Sequence, residues 1–381
     1  MIVRGAWIET PATQAVCTAL SKNGHQVFFV GGCVRNALLG VAVSDIDIAT
    51  DALPEETMRC AKEAGLNAIP TGIEHGTVTV VSGGIAHEIT TFRSDVETDG
   101  RHADVAFSKS IEEDAARRDF TMNALYAGAD GTIHDPLGGL QDLNDRHVRF
   151  IGDANQRIHE DYLRSLRFFR FTAHYGNPAL GIDADGLAAV AENLDGLARL
   201  SRERVGAELL KLMSAQNPSM AVAAMRSSGV LAVVLEGGDD RALAPLIHLE
   251  QSLGISPDPI RRLAVIAGAP DKDALRLSRA DHKRWAMMRD EVESMKTASH
   301  LGYLHGAAFA IDVLLLRAAL FEQPVVASAI AESNKGDIAE FPIKAKDLPG
   351  FSGPALGEKL RALEAKWIAS SFTLTREELL A

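Results

Sequence analysis

Val27 to Ile48 reads VFFVGGCVRNALLGVAVSDIDI, and this stretch decides the fold. Val27 to Val30 is a short apolar run closed by Gly31 and Gly32, after which Val34, Leu38 and Leu39 recur at helical spacing up to Gly40. The order strand, glycine turn, helix follows. Ser44 to Thr50 then alternates aspartate with isoleucine. A strand's period of two puts Asp45 and Asp47 on one face and Ile46 and Ile48 in the core.

Working outward, Thr10 before Pro11 predicts a helix from about Pro11 to Asn23, closed by Gly24. Gly76 to Val81 and Ile85 to Phe92 read as strands joined by a Gly83-Gly84 hairpin turn. Four or more strands in a mixed or antiparallel sheet are expected. Beyond Gly139 strand signals stop, and alanine- and leucine-rich amphipathic windows run to the end, broken near Gly176, Pro218, Gly237 and Pro257. The fold class is therefore an α+β N-terminal head, a mixed sheet with helices, followed by all-helical segments.

The chain has 381 residues, enough for two to three domains. Its 51 acidic and 39 basic residues give a net charge of −12, so a polyanion must be held by a local patch. Three scattered cysteines, Cys17, Cys33 and Cys60, support neither a disulfide framework nor a zinc site, and a reducing cytosol fits them best. The N-terminus lacks a basic stretch followed by an apolar region, so no signal peptide is expected. The apolar window from Ala307 to Phe321 is too short to span a bilayer. A cytoplasmic protein with no membrane association is expected.

Four strings carry chemistry. Asp45 and Asp47 offer hard oxygen ligands suited to Mg²⁺, which can align a nucleoside triphosphate, although a lone DxD is more often a solvated acidic edge. The Gly31-Gly32 turn lets phosphates approach the backbone, with a helix start and Arg35 favouring negative charge; alone it is equally a tight structural turn. Ten residues apart, turn and aspartates describe a nucleotidyltransferase site, while Walker A and GxGxxG are absent. Arg117-Arg118-Asp119-Phe120 can offer a guanidinium to a triphosphate while burying Phe120, or be a basic surface helix start. In EDYLRSLRFFR, Glu160 to Arg170, one helix is predicted with Asp161, Arg164 and Arg167 on a shared face. An i, i+3 salt bridge explains that spacing equally. Cytosine and adenine each present an exocyclic amine beside an unprotonated ring nitrogen. A carboxylate and an arginine would take both and leave uracil and guanine unpaired.

In this order GG(x)2R with the DxD strand, TTFR, a glycine-containing loop (Ser94 to Phe107), RRDFTMNAL, DPLGGLQDL, EDYLRSLRFFRF and SRERVGAELLKL cover about residues 27 to 210. Together they resemble the class II tRNA nucleotidyltransferase and bacterial poly(A) polymerase family. The resemblance implies a head at 1–148, a helical neck at 149–212 and a helical body and tail at 213–381. It implies addition of CCA to tRNA from CTP and ATP without a nucleic-acid template. Asp45 and Asp47 fall on its catalytic, Mg²⁺-binding carboxylates. Gly32, Arg35 and Arg118 fall on nucleotide-contacting positions, Asp161 and Arg164 on the base-reading pair, and Arg167 and Arg170 on further nucleotide-binding arginines. Glu88 is a candidate third carboxylate. Asn36 departs from the family's aspartate, which puts a local hydrogen bond in question. His134-Asp135 reads as structural rather than as part of a phosphohydrolase site. Phe341 to Trp367 resembles the family's tail, with GPALG opening a helix. Arg276, Arg279, Lys283 and Arg284 form either a cationic stripe for tRNA or a solvated helix face. Poly(A) addition, and CC-only or A-only addition, are the rival activities; the loop favours full CCA addition, and no protein partner is expected.

Overall fold

The computed structural model describes residues 1–95, 105–266, 275–324 and 327–381. Most of the Ser94 to Phe107 loop therefore lies outside the described residues. The chain divides into two compact units, one of Met1–Glu208 with Met220–Val234, the other of Leu209–Ser219 with Leu235–Ala381.

The first unit opens with helices α1 (Ala6–Glu9) and α2 (Pro11–Ser21), the latter starting on Pro11 after an extended Thr10. Strand β1 (Val27–Val30), helix α3 (Gly32–Leu38) and strand β2 (Ile46–Thr50) follow as expected. Helix α4 (Pro54–Glu63) leads to strands β3 (Asn67–Gly72), β4 (Thr77–Ser82) and β5 (Ile85–Thr91). A two-stranded ribbon, β6 (Arg93–Asp95) with β7 (Val105–Phe107), precedes helix α5 (Ile111–Ala116) and strands β8 (Tyr126–Gly128) and β9 (Ile133–His134). The main sheet has seven strands in the order β3-β4-β5-β2-β1-β8-β9. Among the described strands only β2 and β5 pair in parallel, which sets Asp47 opposite Glu88. Gly83 and Gly84 turn the β4–β5 hairpin with φ of 55° and 79°, values at which a side chain is strained.

Beyond β9 the described residues of this unit form helices. Helix α6 (Gly139–Asp145) is capped by Asp135, whose carboxylate accepts the Gly139 and Leu140 amides at 2.7 and 3.0 Å, and His134 packs edge-on against Phe28. This is the structural role expected of that dipeptide. Helices α7 (Ala154–Glu160), α8 (Leu163–Tyr175), α9 (Ala184–Glu192), α10 (Leu194–Leu197) and α11 (Arg202–Met213) complete the region, α11 running on into the second unit. Phe120 after the RRD string packs on Phe150 and Phe171 at centroid distances of 5.0 and 4.7 Å, and Phe150 stacks on Phe168 at 5.3 Å. Each buried ring contributes about 1.5–3 kcal/mol of burial, enough to fix α8 against the Phe120 and Phe150 segments.

The second unit is helical throughout its described residues. Its centre holds charge: Glu250 accepts Arg261 and Arg262 at 2.6 and 2.7 Å, and Asp312 accepts Arg261 and Arg284 at 2.7 and 2.6 Å. Arg262 also donates to the carbonyls of Met213 and Ala215, the end of α11. Arg284 is paired with Asp258 and Asp312, and Arg276 precedes the helix Arg279–Glu293 that carries Arg279, Lys283 and Arg284, so the four do not share one helix face. The helix Gly353–Ala369 opens at GPALG as expected, and packs Leu363 and Trp367 with Ile343, Leu348 and Leu379. No helix among the described residues is long and apolar enough to cross a membrane.

Candidate active site

The β2–β5 pair builds the acidic half of the site. Ile46 and Ile48 are buried, Asp47 is half-buried, and Asp45 and Glu88 are exposed. The Asp47 carboxyl is pushed up to about 6, first by burial and then by the charges of Glu88 and Asp45, against the pull of Arg118 and Arg35. Like charges held this close call for a cation. The described residues hold no ready-made cluster of three metal-ligating side chains. Two or three carboxylates with open positions suit an ion that keeps water and takes substrate phosphates as ligands, the habit of Mg²⁺. The residues fit that group.

Gly31, the turn residue, has φ of 68° and lies against Arg118: a Cβ there would sit 3.6 Å from its guanidinium. Arg35 is buried and fully engaged. It donates to Asn36 Oδ1 at 2.9 Å, to the Tyr175 hydroxyl at 2.8 Å and to Asn123 Oδ1, and it stacks 4.0 Å over the Tyr175 ring. Burial lowers its pKa, with Arg170 adding to the effect and Tyr175 and Asp119 opposing it. Asn36 therefore keeps the acceptor that an aspartate would supply, without the charge. Arg35 is placed as a brace between the turn and the end of α8.

Arg118 lies across the site from that brace. Its Nη2 donates to Asp114 at 2.8 Å and its Nε to the Tyr126 hydroxyl at 3.0 Å. Arg117 Nε reaches the other Asp114 oxygen at 3.2 Å, and the Arg93 amide reaches it at 3.3 Å. Asp114, Tyr126 and Arg93 were not singled out from sequence. Arg93 closes the TTFR string, and its Nε is buried without a hydrogen-bond partner. Burial, and then the neighbouring Arg117, lower its pKa to about 10. The Arg117 and Arg118 guanidiniums share the one Asp114 carboxylate, which leaves a cationic surplus near Asp47.

The helix predicted across Glu160 to Arg170 is interrupted. α7 stops at Glu160, Asp161 is extended (φ −154°, ψ 105°), and α8 begins at Leu163. Asp161 causes the break by capping α8: its Oδ1 accepts the Leu163 amide at 3.1 Å. The predicted shared face is thus corrected to a junction residue followed by a helix. The side chains of Asp161 and Arg164 take different partners. Asp161 Oδ2 accepts Arg204 at 2.7 Å. Arg164 donates to Glu160 at 2.5 Å and to the carbonyls of Arg157 and Arg117 at 3.0 and 2.9 Å. Arg167 pairs with Asp119 at 2.7 Å, and Arg170 with Glu208 at 2.5 Å. Asp119 also accepts Asn123 at 3.0 Å, so Arg167 and Arg35 are linked through two buried side chains.

The comparisons place the chain among known families and structures. The profile described as "Poly A polymerase head domain" matches residues 27–149, and that of the "Probable RNA and SrmB- binding site of polymerase A" matches residues 180–241. The human mitochondrial CCA tRNA nucleotidyltransferase 1 is 32% identical over 389 residues, spanning 98% of this chain and 89% of its own. The CCA-adding enzyme of Geobacillus kaustophilus is 39% identical over 229 residues, 59% of this chain and 55% of its own. Among solved structures, the Bacillus stearothermophilus CCA-adding enzyme in complex with CTP is 28% identical with a TM-score of 0.70, covering 97% of this chain and 95% of that one. Motifs, fold and full-length similarity converge: the chain belongs to the class II CCA-adding tRNA nucleotidyltransferase and bacterial poly(A) polymerase family.

Proposed function

We propose that the protein adds CCA to the 3′ end of tRNA from CTP and ATP, releasing pyrophosphate at each step. The observation that carries the chemistry is the half-buried Asp47, crowded by Glu88 and Asp45 and faced by Arg118. Such a site is incomplete without a cation and an anion, and a metal-bound triphosphate supplies both. The full-length likeness to an enzyme named for CCA addition supports tRNA as the acceptor.

Asp45 and Asp47 would hold Mg²⁺, which supplies charge neutralisation at the α-phosphate and lowers the pKa of the attacking hydroxyl. Arg118, itself held by Asp114, stands ready to offset charge on the triphosphate, and Gly32 leaves the backbone open to it. Asp161 and Arg164 would read the base, the carboxylate accepting the exocyclic amine and the guanidinium donating to the ring nitrogen. Arg164 spends three of its five N–H donors on Glu160, Arg157 and Arg117. Arg35, Arg167 and Arg170 act on the nucleotide through the walls they brace. We place the head at 1–148, the neck at 149–212 and the tRNA-binding body and tail at 213–381, in the cytoplasm. The three buried, unpaired cysteines agree with a reducing compartment.

The test gives purified protein a tRNA ending at its discriminator base with CTP, ATP or both. Addition of C, C and A followed by arrest is expected. Unlimited A on generic RNA reassigns the protein to poly(A) addition, and arrest after two C residues, or A added only to a tRNA ending in CC, to a partial enzyme.

A further inference from the structure

The base-reading carboxylate has a partner that the motif does not contain. Asp161 lies in the extended joint between α7 and α8, and each of its oxygens is held from a different direction. Oδ1 accepts the Leu163 amide at 3.1 Å. Oδ2 accepts Arg204 Nη2 at 2.7 Å, from the first turn of α11 and 43 residues away in sequence. The ion pair is half-exposed, with the Arg204 side chain at 50% and Asp161 at 34% of full accessibility.

A carboxylate offers about four lone-pair positions, and its terminal torsion is broad and roughly two-fold. Holding one oxygen leaves the group free to swing. Holding both fixes its plane and leaves one open lone pair on each oxygen, pointing in set directions. The contrast among bases depends on that fixity. Cytosine and adenine bring an amine donor to the carboxylate, whereas uracil and guanine bring a carbonyl that a fixed carboxylate repels and a mobile one can turn away from.

We infer that Arg204 is a specificity-determining positioning residue: by holding Oδ2 it fixes the Asp161 carboxylate in the orientation that admits C and A and excludes U and G. This rests on the base-reading role proposed above for Asp161. Arg204 itself touches no reacting atom.

The test measures kcat/KM for CTP and for UTP on a tRNA lacking its CCA end, in wild type, Arg204→Ala, Arg204→Lys, Asp161→Ala and the Asp161→Ala/Arg204→Ala double variant. Arg204→Ala is expected to lower the CTP-to-UTP ratio about two- to fivefold, the range a half-exposed ion pair supports. Arg204→Lys, which keeps a donor and the charge, restores part of it. In the double variant the ratio equals that of Asp161→Ala alone, because there is no carboxylate left to orient. An Arg204→Ala enzyme that loses CTP and UTP activity equally, or shows only a higher KM for tRNA, overturns the inference. So does a further change of ratio in the double variant. If Asp161→Ala itself keeps the wild-type ratio, the base-reading assignment fails instead. If Arg204→Ala does not fold, Arg204→Met, which keeps the aliphatic stem and removes every donor, replaces it in the single and double variants, and an unchanged CTP-to-UTP ratio in the folded single variant refutes the role.

Discussion

Replacing Asp114 with asparagine is expected to cost stability in a way that pH reveals. Asp114 is 1% exposed and accepts Arg118 at 2.8 Å, Arg117 at 3.2 Å and the Tyr126 hydroxyl at 2.7 Å. Burial pushes its carboxyl up, but Arg118, Arg117 and the Tyr126 hydroxyl outweigh it and hold the group at about 2, against 3.8 ordinarily. That gap, at about 1.36 kcal/mol per pH unit, makes the ionised form worth about 2 kcal/mol to the folded state. Because the folded value is the lower one, this stability is fully present above about pH 4 and is lost as pH falls toward about 2. Asparagine keeps the shape but leaves the Arg117 and Arg118 guanidiniums without their anion, so a loss of about 2 kcal/mol or more is expected at pH 7. Urea denaturation followed by circular dichroism, at stepped pH, gives the difference between wild type and Asp114→Asn. The ionisation part of that difference should shrink to about 1 kcal/mol at pH 3. A difference below about 0.5 kcal/mol at pH 7, or one that stays constant from pH 7 to pH 3, refutes the reasoning.

Asp47→Asn should abolish nucleotide addition while leaving the metal-free protein, in chelator at pH 7, melting no lower than wild type. Burial, Glu88 and Asp45 all disfavour the native charge above about pH 6. A melting temperature several degrees lower would show that Asp47 serves the fold instead. Gly196→Ala should destabilise by about 1–3 kcal/mol, since the new Cβ would lie 1.8 Å from the Tyr162 ring. Thermal melting reads this, and an unchanged midpoint would mean that Tyr162 yields freely.

Local signals made the head legible. The aspartate–isoleucine alternation at 45–48 needs one buried face, and the Gly83-Gly84 pair needs positive φ, so both could be read without tertiary knowledge. β3 could not. It is the sheet's edge strand, carries Pro70, and is mostly exposed, so no buried alternation marks it. The break at Asp161 was hidden because aspartate inside a helical pattern is no breaker, and the capping bond depends on where α8 is held. Arg35 shows the limit most clearly. Its type and position suggested phosphate contact, but its partner Tyr175 lies 140 residues away, and no local rule announces that pairing. Likewise Arg93 and Asp114 acquire meaning only when the ribbon and α5 converge on Arg117 and Arg118.

α8 is cross-tied at three levels: Arg164 to the Arg117 carbonyl at 2.9 Å, Arg167 to Asp119 at 2.7 Å, and Tyr175 to Arg35 at 2.8 Å. From Arg164 to Tyr175 such a helix runs about 16 Å. Rolling or sliding it would break all three ties together, so it behaves as a stiff rail rather than a moving jaw. On the base-reading role proposed for Asp161, any give between a pyrimidine and a purine would come from the two-residue joint at the rail's head, where Arg204 holds the carboxylate.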